Sequence, residues 1–222
     1  MSRTLQFKTI IFDLDGTLVN TLADIAISMN RALEARGFPT LPLEAYRGIV
    51  GWGIRRLAQS ALPQPVRENA SLVEAVAADA TMFYAEQPLV HSKPYAGVLE
   101  LLAELRRRKM KIAVLTNKPD AVARLVLEGL FPAGFFDVIR GDVPDAPRKP
   151  DPTSAWEILV ELDSTPRNTI LVGDSEIDIE TAHASGCHAV AASWGFRPRE
   201  TLESTGAERI IDTPLELLAC LN

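Results

Sequence analysis

The 222-residue sequence has little cysteine: Cys187 and Cys220 are the whole supply, too few for a disulfide framework and without neighbours at metal-ligand spacing. It lacks any apolar run long enough to span a bilayer. The N-terminal stretch MSRTLQFKTIIFD is too polar, and its apolar run too short, for a secretory leader. Positive charge is also scarce. A net charge of -6 and a pI near 5.2 argue against general binding to nucleic acid or acidic membranes and leave room only for a local basic pocket. These absences describe a cytoplasmic protein in a reducing compartment, with no nucleic-acid or membrane partner. An apolar fraction of 47% and a charged fraction of 23% are those of an ordinary globular chain, long enough for one domain or two small ones.

Short runs rich in branched residues are present in number: KTIIF, KIAVLT, FFDVIR, TILVG, CHAVAA and ERII. Longer segments of helical period separate most of them. Continuous apolar strands alternating with helices predict an α/β fold, a Rossmann-like parallel sheet covered by helices on both faces. Val98, Leu99, Leu101, Leu102 and Leu105 form one such helical stripe, and the basic RRRK after it reads as a solvated helix end.

The alternation breaks between about Val19 and Ser92, where only helical patterns occur. Thr21 with Asp24 reads as a helix start, and Gly37 with Pro39 as its end. A second long helix is predicted near Ser71, with Leu72, Val76, Ala80 and Phe83 on its buried face. An all-helical insertion too long for a crossover predicts two domains: a core of residues 1–18 and 93–222, and a helical cap of residues 19–92. In a doubly wound sheet, ligands bind beyond the carboxyl ends of the strands, and the insertion leaves and returns near that edge.

The strand ends carry the chemistry. The first ends in Asp13-Leu14-Asp15-Gly16-Thr17, the second in Thr116-Asn117-Lys118, and the fourth in Gly173-Asp174-Ser175-Glu176, with Asp178 just beyond. Between the third and fourth lies Arg148-Lys149-Pro150-Asp151-Pro152, in which Asp151 suits a helix cap and Pro152 the first turn. Two carboxylates as close as Asp13 and Asp15 repel by roughly 1 kcal/mol in water and about 4 kcal/mol at an effective dielectric near 20. Such a pair calls for a compensating cation. Carboxylate oxygens suit a hard cation such as Mg2+, while a hydroxyl, an amide and an ammonium suit the equatorial oxygens of a transferring phosphoryl group. One carboxylate can then act as nucleophile and another as general acid and base.

In this order the motifs resemble those of the haloacid dehalogenase superfamily: Asp13-x-Asp15-Gly16-Thr17, Thr116-Asn117, Lys149-Pro150 and Gly173-Asp174-Ser175-x-x-Asp178. The stretches GWGIRRLAQSAL, PYAGVLELLAEL, RKPDP, GDSEIDIETAHASG and SWGFRP are similar to its phosphoglycolate phosphatase branch. The resemblance implies that Asp13 is the nucleophile and Asp15 the proton shuttle. It implies Mg2+ held by Asp13, by Asp174 and by the main-chain carbonyl of Asp15, with Asp178 supporting the cluster. Thr116, Asn117 and Lys149 would hold the phosphoryl oxygens, and Gly16 would allow a sharp turn.

Dehalogenases of the superfamily lack an acid at the place of Asp15, so the halide reaction is rejected. No lysine lies between Val19 and Ser92 for a phosphonate-cleaving Schiff base, and Asn20 stands where mutases carry a cap histidine. Asn20 also departs from the acidic residue common there in this branch. In the cap, Asn20, Gly51, Trp52 and Gly53 are candidates for substrate contact, with Arg47, Arg55 and Arg56 as partners for a carboxylate. The expected activity is hydrolysis of a small phosphorylated metabolite through an aspartyl-phosphate, with 2-phosphoglycolate first to test. A sugar phosphate, a nucleotide or pyrophosphate is the alternative within the class, and a non-catalytic phosphate-binding regulator the alternative outside it.

Overall fold

Thr9–Phe12 is buried at every position, as a central strand covered on both faces must be, and this strand, β1, organises the sheet. The computed structural model describes residues 7–221. Met1 to Gln6, the start of the N-terminal stretch too polar for a leader, lie outside them. The elements that follow β1 are β2 (Val19–Asn20), α1 (Leu22–Glu34), α2 (Leu43–Arg47), α3 (Ile54–Ala61), α4 (Ala70–Glu86), β3 (Lys93–Pro94), α5 (Val98–Arg107) and β4 (Lys111–Pro119). Then come α6 (Asp120–Leu130), β5 (Val138–Asp142), α7 (Thr153–Glu161), β6 (Thr169–Gly173), α8 (Glu176–Ser185), β7 (His188–Ala192), α9 (Arg199–Glu203) and β8 (Arg209–Ile211).

Six strands pair in the order β5-β4-β1-β6-β7-β8, every pair parallel. Phe12 is in register with Val114 of β4 and Val172 of β6, so the sheet winds outward from β1 in both directions. Strand alternation sorts the core. Ile10, Phe12, Ile112, Val114, Ile170 and Val172 join one apolar cluster, whereas Ile11, Ala113, Leu115 and Leu171 face α7 and α8 in the other. No helix among the described residues is long and apolar enough to cross a membrane.

Helices α1 to α4 form a cap, with α4 packed between α1 and α3. The segment read as purely helical begins with a strand, because Val19 and Asn20 pair antiparallel with Pro94 and Lys93 in a two-stranded ribbon at the cap's root. Two residues are too short to leave a periodic signal. Thr21 does precede α1 but makes no side-chain cap bond. Asp24 is turned inward, where its carboxylate accepts the main-chain N–H groups of His91 and Ser92 and the Ser92 hydroxyl at 2.6–3.0 Å. The acid that looked like a helix start therefore clamps the returning chain.

On α4 the buried residues are Val73, Val76, Ala77, Ala80 and Tyr84, with Leu72 and Phe83 only partly covered, so the buried face is turned from the predicted one. Leu99 on α5 is likewise 42% exposed, outside the stripe that Val98, Leu101, Leu102 and Leu105 complete. Pro152 stands one position before α7, and Asp151 accepts the Thr153 N–H from just outside.

Candidate active site

Asp13 follows β1 directly, and its N–H continues the sheet ladder to Val172 at 2.9 Å, which fixes its position at the switch point between β4 and β6. Lys149, from the loop between β5 and α7, bridges Asp13 Oδ1 at 2.8 Å and Asp178 Oδ1 at 2.6 Å. Asp178 is held from the other side by a capping box at the start of α8, its Oδ2 accepting the Ser175 N–H and hydroxyl. Asp174, at the end of β6, accepts from Thr17 Oγ1 at 3.2 Å and the Phe196 N–H at 2.7 Å. Gly16 has φ +91 and Gly195 lies as close, since a Cβ on either would come within 2.4 Å of Asp174.

Asp13, Asp174 and Asp178 are all buried, with ligand oxygens within 4.8 Å of one another. Three carboxylates against the single Lys149 ammonium leave an excess of negative charge in a largely buried place. Burial pushes Asp13 up to about 7, with Lys149 pulling against it and Asp178 adding to it. Burial, then Asp178 and Asp13, hold Asp174 well above the usual carboxylate range. Lys149 is raised although burial opposes its charge, because Asp13 and Asp178 prevail. Asp13 Oδ2 has no hydrogen-bond partner among the described residues, and the donor set is all oxygen. These residues fit a hard divalent cation.

Asp15 takes a different direction. Its carboxylate accepts from Thr21 Oγ1 at 2.7 Å and from Lys118 Nζ at 3.0 and 3.3 Å, and it stands outside the cluster of Asp13, Asp174 and Asp178. Lys118 lies over the Tyr84 ring at 4.0 Å. Burial opposes its charge, yet Asp15 raises it. Burial also raises Tyr84, with Lys118 opposing and Asp15 adding, so the phenol keeps its proton.

The remaining sequence-predicted residues divide. Thr116 and Asn117 are buried in β4 beside Asp13 and Asp15, lining the same cavity. The Asn117 side chain is spent on protein: it donates to the carbonyls of Gly51 and Lys149 and accepts the Lys149 N–H, each at 3.0 Å. It thus holds Lys149 in place and ties cap to core. Gly51 and Gly53 line the cavity, at φ +119 and +87.

The cap arginines do not line it. Arg55 pairs with Glu74, Arg47 with Glu44 at 2.7 Å, and Arg56 stacks over Trp52 at 4.4 Å. Trp52 and Asn20 also stand outside the lining. The cavity holds about 60 Å³ between cap and core, mostly apolar, with Ile25, Val50, Leu57 and Val122 in its walls.

Lys118, Tyr84 and Thr21 belong to this site without having been assigned to it from the sequence. Lys118 carried a signal, adjacency to Thr116 and Asn117 at a strand end. Tyr84 carried none, since a tyrosine on a helix's apolar face reads as core.

Residues 10–192 match the family model described as haloacid dehalogenase-like hydrolase. The chain is 36% identical over 211 residues to the phosphoglycolate phosphatase of Rhodospirillum rubrum, covering 92% of this chain and 87% of that protein. It is 32% identical over 189 residues to the phosphoglycolate phosphatase of Aquifex aeolicus, covering 85% and 86%. Among solved structures, that of a predicted phosphoglycolate phosphatase from Haemophilus somnus superposes with a TM-score of 0.90 at 28% identity over 98% of this chain and 99% of that one. CbbY from Rhodobacter sphaeroides, solved in complex with phosphate, gives 0.77 at 26% identity over 97% and 99%.

Proposed function

The chain belongs to the haloacid dehalogenase-like hydrolase family, in its phosphoglycolate phosphatase-like branch, and from that premise we propose that it is a Mg2+-dependent phosphomonoesterase acting on 2-phosphoglycolate. The observation that carries this reading is the division of the two acids of DLDGT. Asp13 faces Lys149 and the carboxylate cluster, whereas Asp15 faces Thr21, Lys118 and the cavity. Two carboxylates in two environments can take two roles.

Asp13 attacks phosphorus, forming an acyl-phosphate bond as the P–O ester bond breaks. Asp15 gives its proton to the departing alkoxide. It then takes a proton from water, whose oxygen attacks phosphorus and releases Asp13 and inorganic phosphate. Asp13 and Asp174 would hold Mg2+, together with the Asp15 carbonyl, and Asp178 would orient Lys149 behind them. When bound, the cation supplies charge neutralisation for nucleophile and phosphoryl oxygens. Thr116 and Lys149 stand beside Asp13 as donors to those oxygens, and Asn117 contributes by fixing Lys149. Residues 19–92 act as the lid that excludes water during the reaction.

The small cavity under the cap suits a leaving group of a few heavy atoms, and the names of the relatives point to glycolate. The test is phosphate release from a panel of esters, ranked by kcat/KM with Mg2+ and with EDTA. 2-Phosphoglycolate should lead, and release should cease in EDTA. Asp13→Asn should lower kcat at least 10⁴-fold, by order of magnitude for a lost nucleophile, without loss of fold. Persistent turnover by that variant would remove Asp13 from the role, and a low rank for 2-phosphoglycolate would reject the substrate.

A further inference from the structure

The cavity beyond Asp15 contains two polar groups with unused hydrogen-bonding capacity. An ammonium has three N–H donors. Lys118 directs two of them to the Asp15 carboxylate oxygens at 3.0 and 3.3 Å and meets the Tyr84 face at 4.0 Å, and a ring face is a weak acceptor that an anion in the cavity would displace. Tyr84 is 5% exposed, and its Oη is buried with no hydrogen-bond partner among the described residues. A buried hydroxyl left unpaired costs about 1–3 kcal/mol, so a ligand that enters the cavity and pairs with it is favoured. Of the other hydroxyls in the wall, Ser28 donates to the Asp24 carbonyl and Thr81 to the Ala77 carbonyl, both at 2.8 Å, while Thr116, beside Asp13, accepts the Lys118 main-chain N–H at 3.2 Å. Lys118 is the single cation among the residues that line the cavity.

We infer that Lys118, from the core, and Tyr84, from the cap, together bind a carboxylate on the leaving group and thereby set the enzyme's preference for small phosphorylated hydroxy acids. The inference rests on the phosphomonoesterase reading above and deepens it. The placement follows from the chemistry. Lys118 touches Asp15, the acid that serves the ester oxygen, and in 2-phosphoglycolate a single methylene separates that oxygen from the carboxyl carbon. A carboxylate there would accept from an ammonium and a phenol at once, in apolar surroundings where charge-assisted hydrogen bonds are strong. The two donors come from different domains, so the carboxylate site is complete only with the cap closed. The cap arginines that the sequence offered for this task are occupied by Glu44, Glu74 and Trp52.

The test compares two unreactive phosphonates in the presence of Mg2+, by calorimetry: 3-phosphonopropionate, which carries the carboxylate, and propylphosphonate, which lacks it. The wild-type protein should prefer the first by about ten- to a hundredfold, the range for hydrogen bonds to a charged group. Tyr84→Phe, which removes only the hydroxyl, and Lys118→Met should each bring that ratio several-fold closer to one. Tyr84→Phe keeps the test decisive should Lys118→Met not fold. A wild-type preference that both variants retain overturns the inference and leaves the phosphoglycolate reading standing. A wild-type ratio near one also overturns it. If the wild-type enzyme in addition hydrolyses ethyl phosphate as well as 2-phosphoglycolate, the substrate reading falls with it.

Discussion

The charge of Asp13 depends strongly on what surrounds it. Burial holds its carboxyl up to about 7, far above the ordinary value near 4, and Asp174 is raised as well. A carboxyl raised in the folded state binds more protons there than in the unfolded chain, so stability falls as pH climbs through the window between about 4 and about 7. A divalent cation binds the ionised forms and opposes that loss. Melting temperatures with saturating Mg2+ and with EDTA should therefore diverge as pH rises from about 5 to about 8. A gap that stays constant would mean that these carboxylates are ionised without the metal. The identity of the acids was legible in the sequence, because DLDGT, Lys149 and GDSEID are local patterns. Their separate surroundings were not, because the partners of Asp15 come from Thr21 and from Lys118, the latter 103 positions away.

At the scale of elements, Asp24 shows how a side chain on one helix can govern a loop far along the chain. It is 3% exposed and holds the amides of His91 and Ser92 where the chain returns from the cap. Asp24→Ala leaves those donors without their acceptor, the Ser92 amide and hydroxyl in a buried place, and should cost roughly 2–4 kcal/mol, summing the penalties of unmet hydrogen bonds. Urea unfolding would check it, and a loss well under 1 kcal/mol would show that other contacts hold the return. The strands were legible because their apolar runs are continuous and flanked by breakers, and β1, β6 and β7 fall within the runs that announced them. Helix existence was legible too, but not always helix orientation. In α4 the sequence ASLVEAVAADATMFYAE offers apolar residues around much of its circumference, and contact with α1 and α3 selected Val73 and Tyr84 for burial over Leu72 and Phe83.

At the scale of the molecule, cap and core are joined through Arg197, which follows β7 and α8's Glu176 in the core. It pairs with Glu176 at 2.9 Å and donates to the main-chain carbonyls of Val50, at 3.0 Å, and Arg47 in the cap. The neighbouring Phe196 N–H binds Asp174, so one short segment touches both the carboxylate cluster and the cap. Arg197→Met should raise hydrogen exchange in residues 47–53 by about tenfold or more, the loss of a charge-assisted pair of bonds, and leave the central sheet unchanged. Equal protection in both proteins would assign closure to other contacts. The sequence by itself determined the sheet, the helical insertion and the acids and lysine that converge on one edge, because strand runs and strand-end motifs are properties of adjacent residues. Only the tertiary structure decided which side chains face the cavity under the cap. It turned Arg47, Arg55 and Arg56 outward and brought Lys118 under Tyr84, since those directions are set by packing between a cap and a core that are distant in the chain.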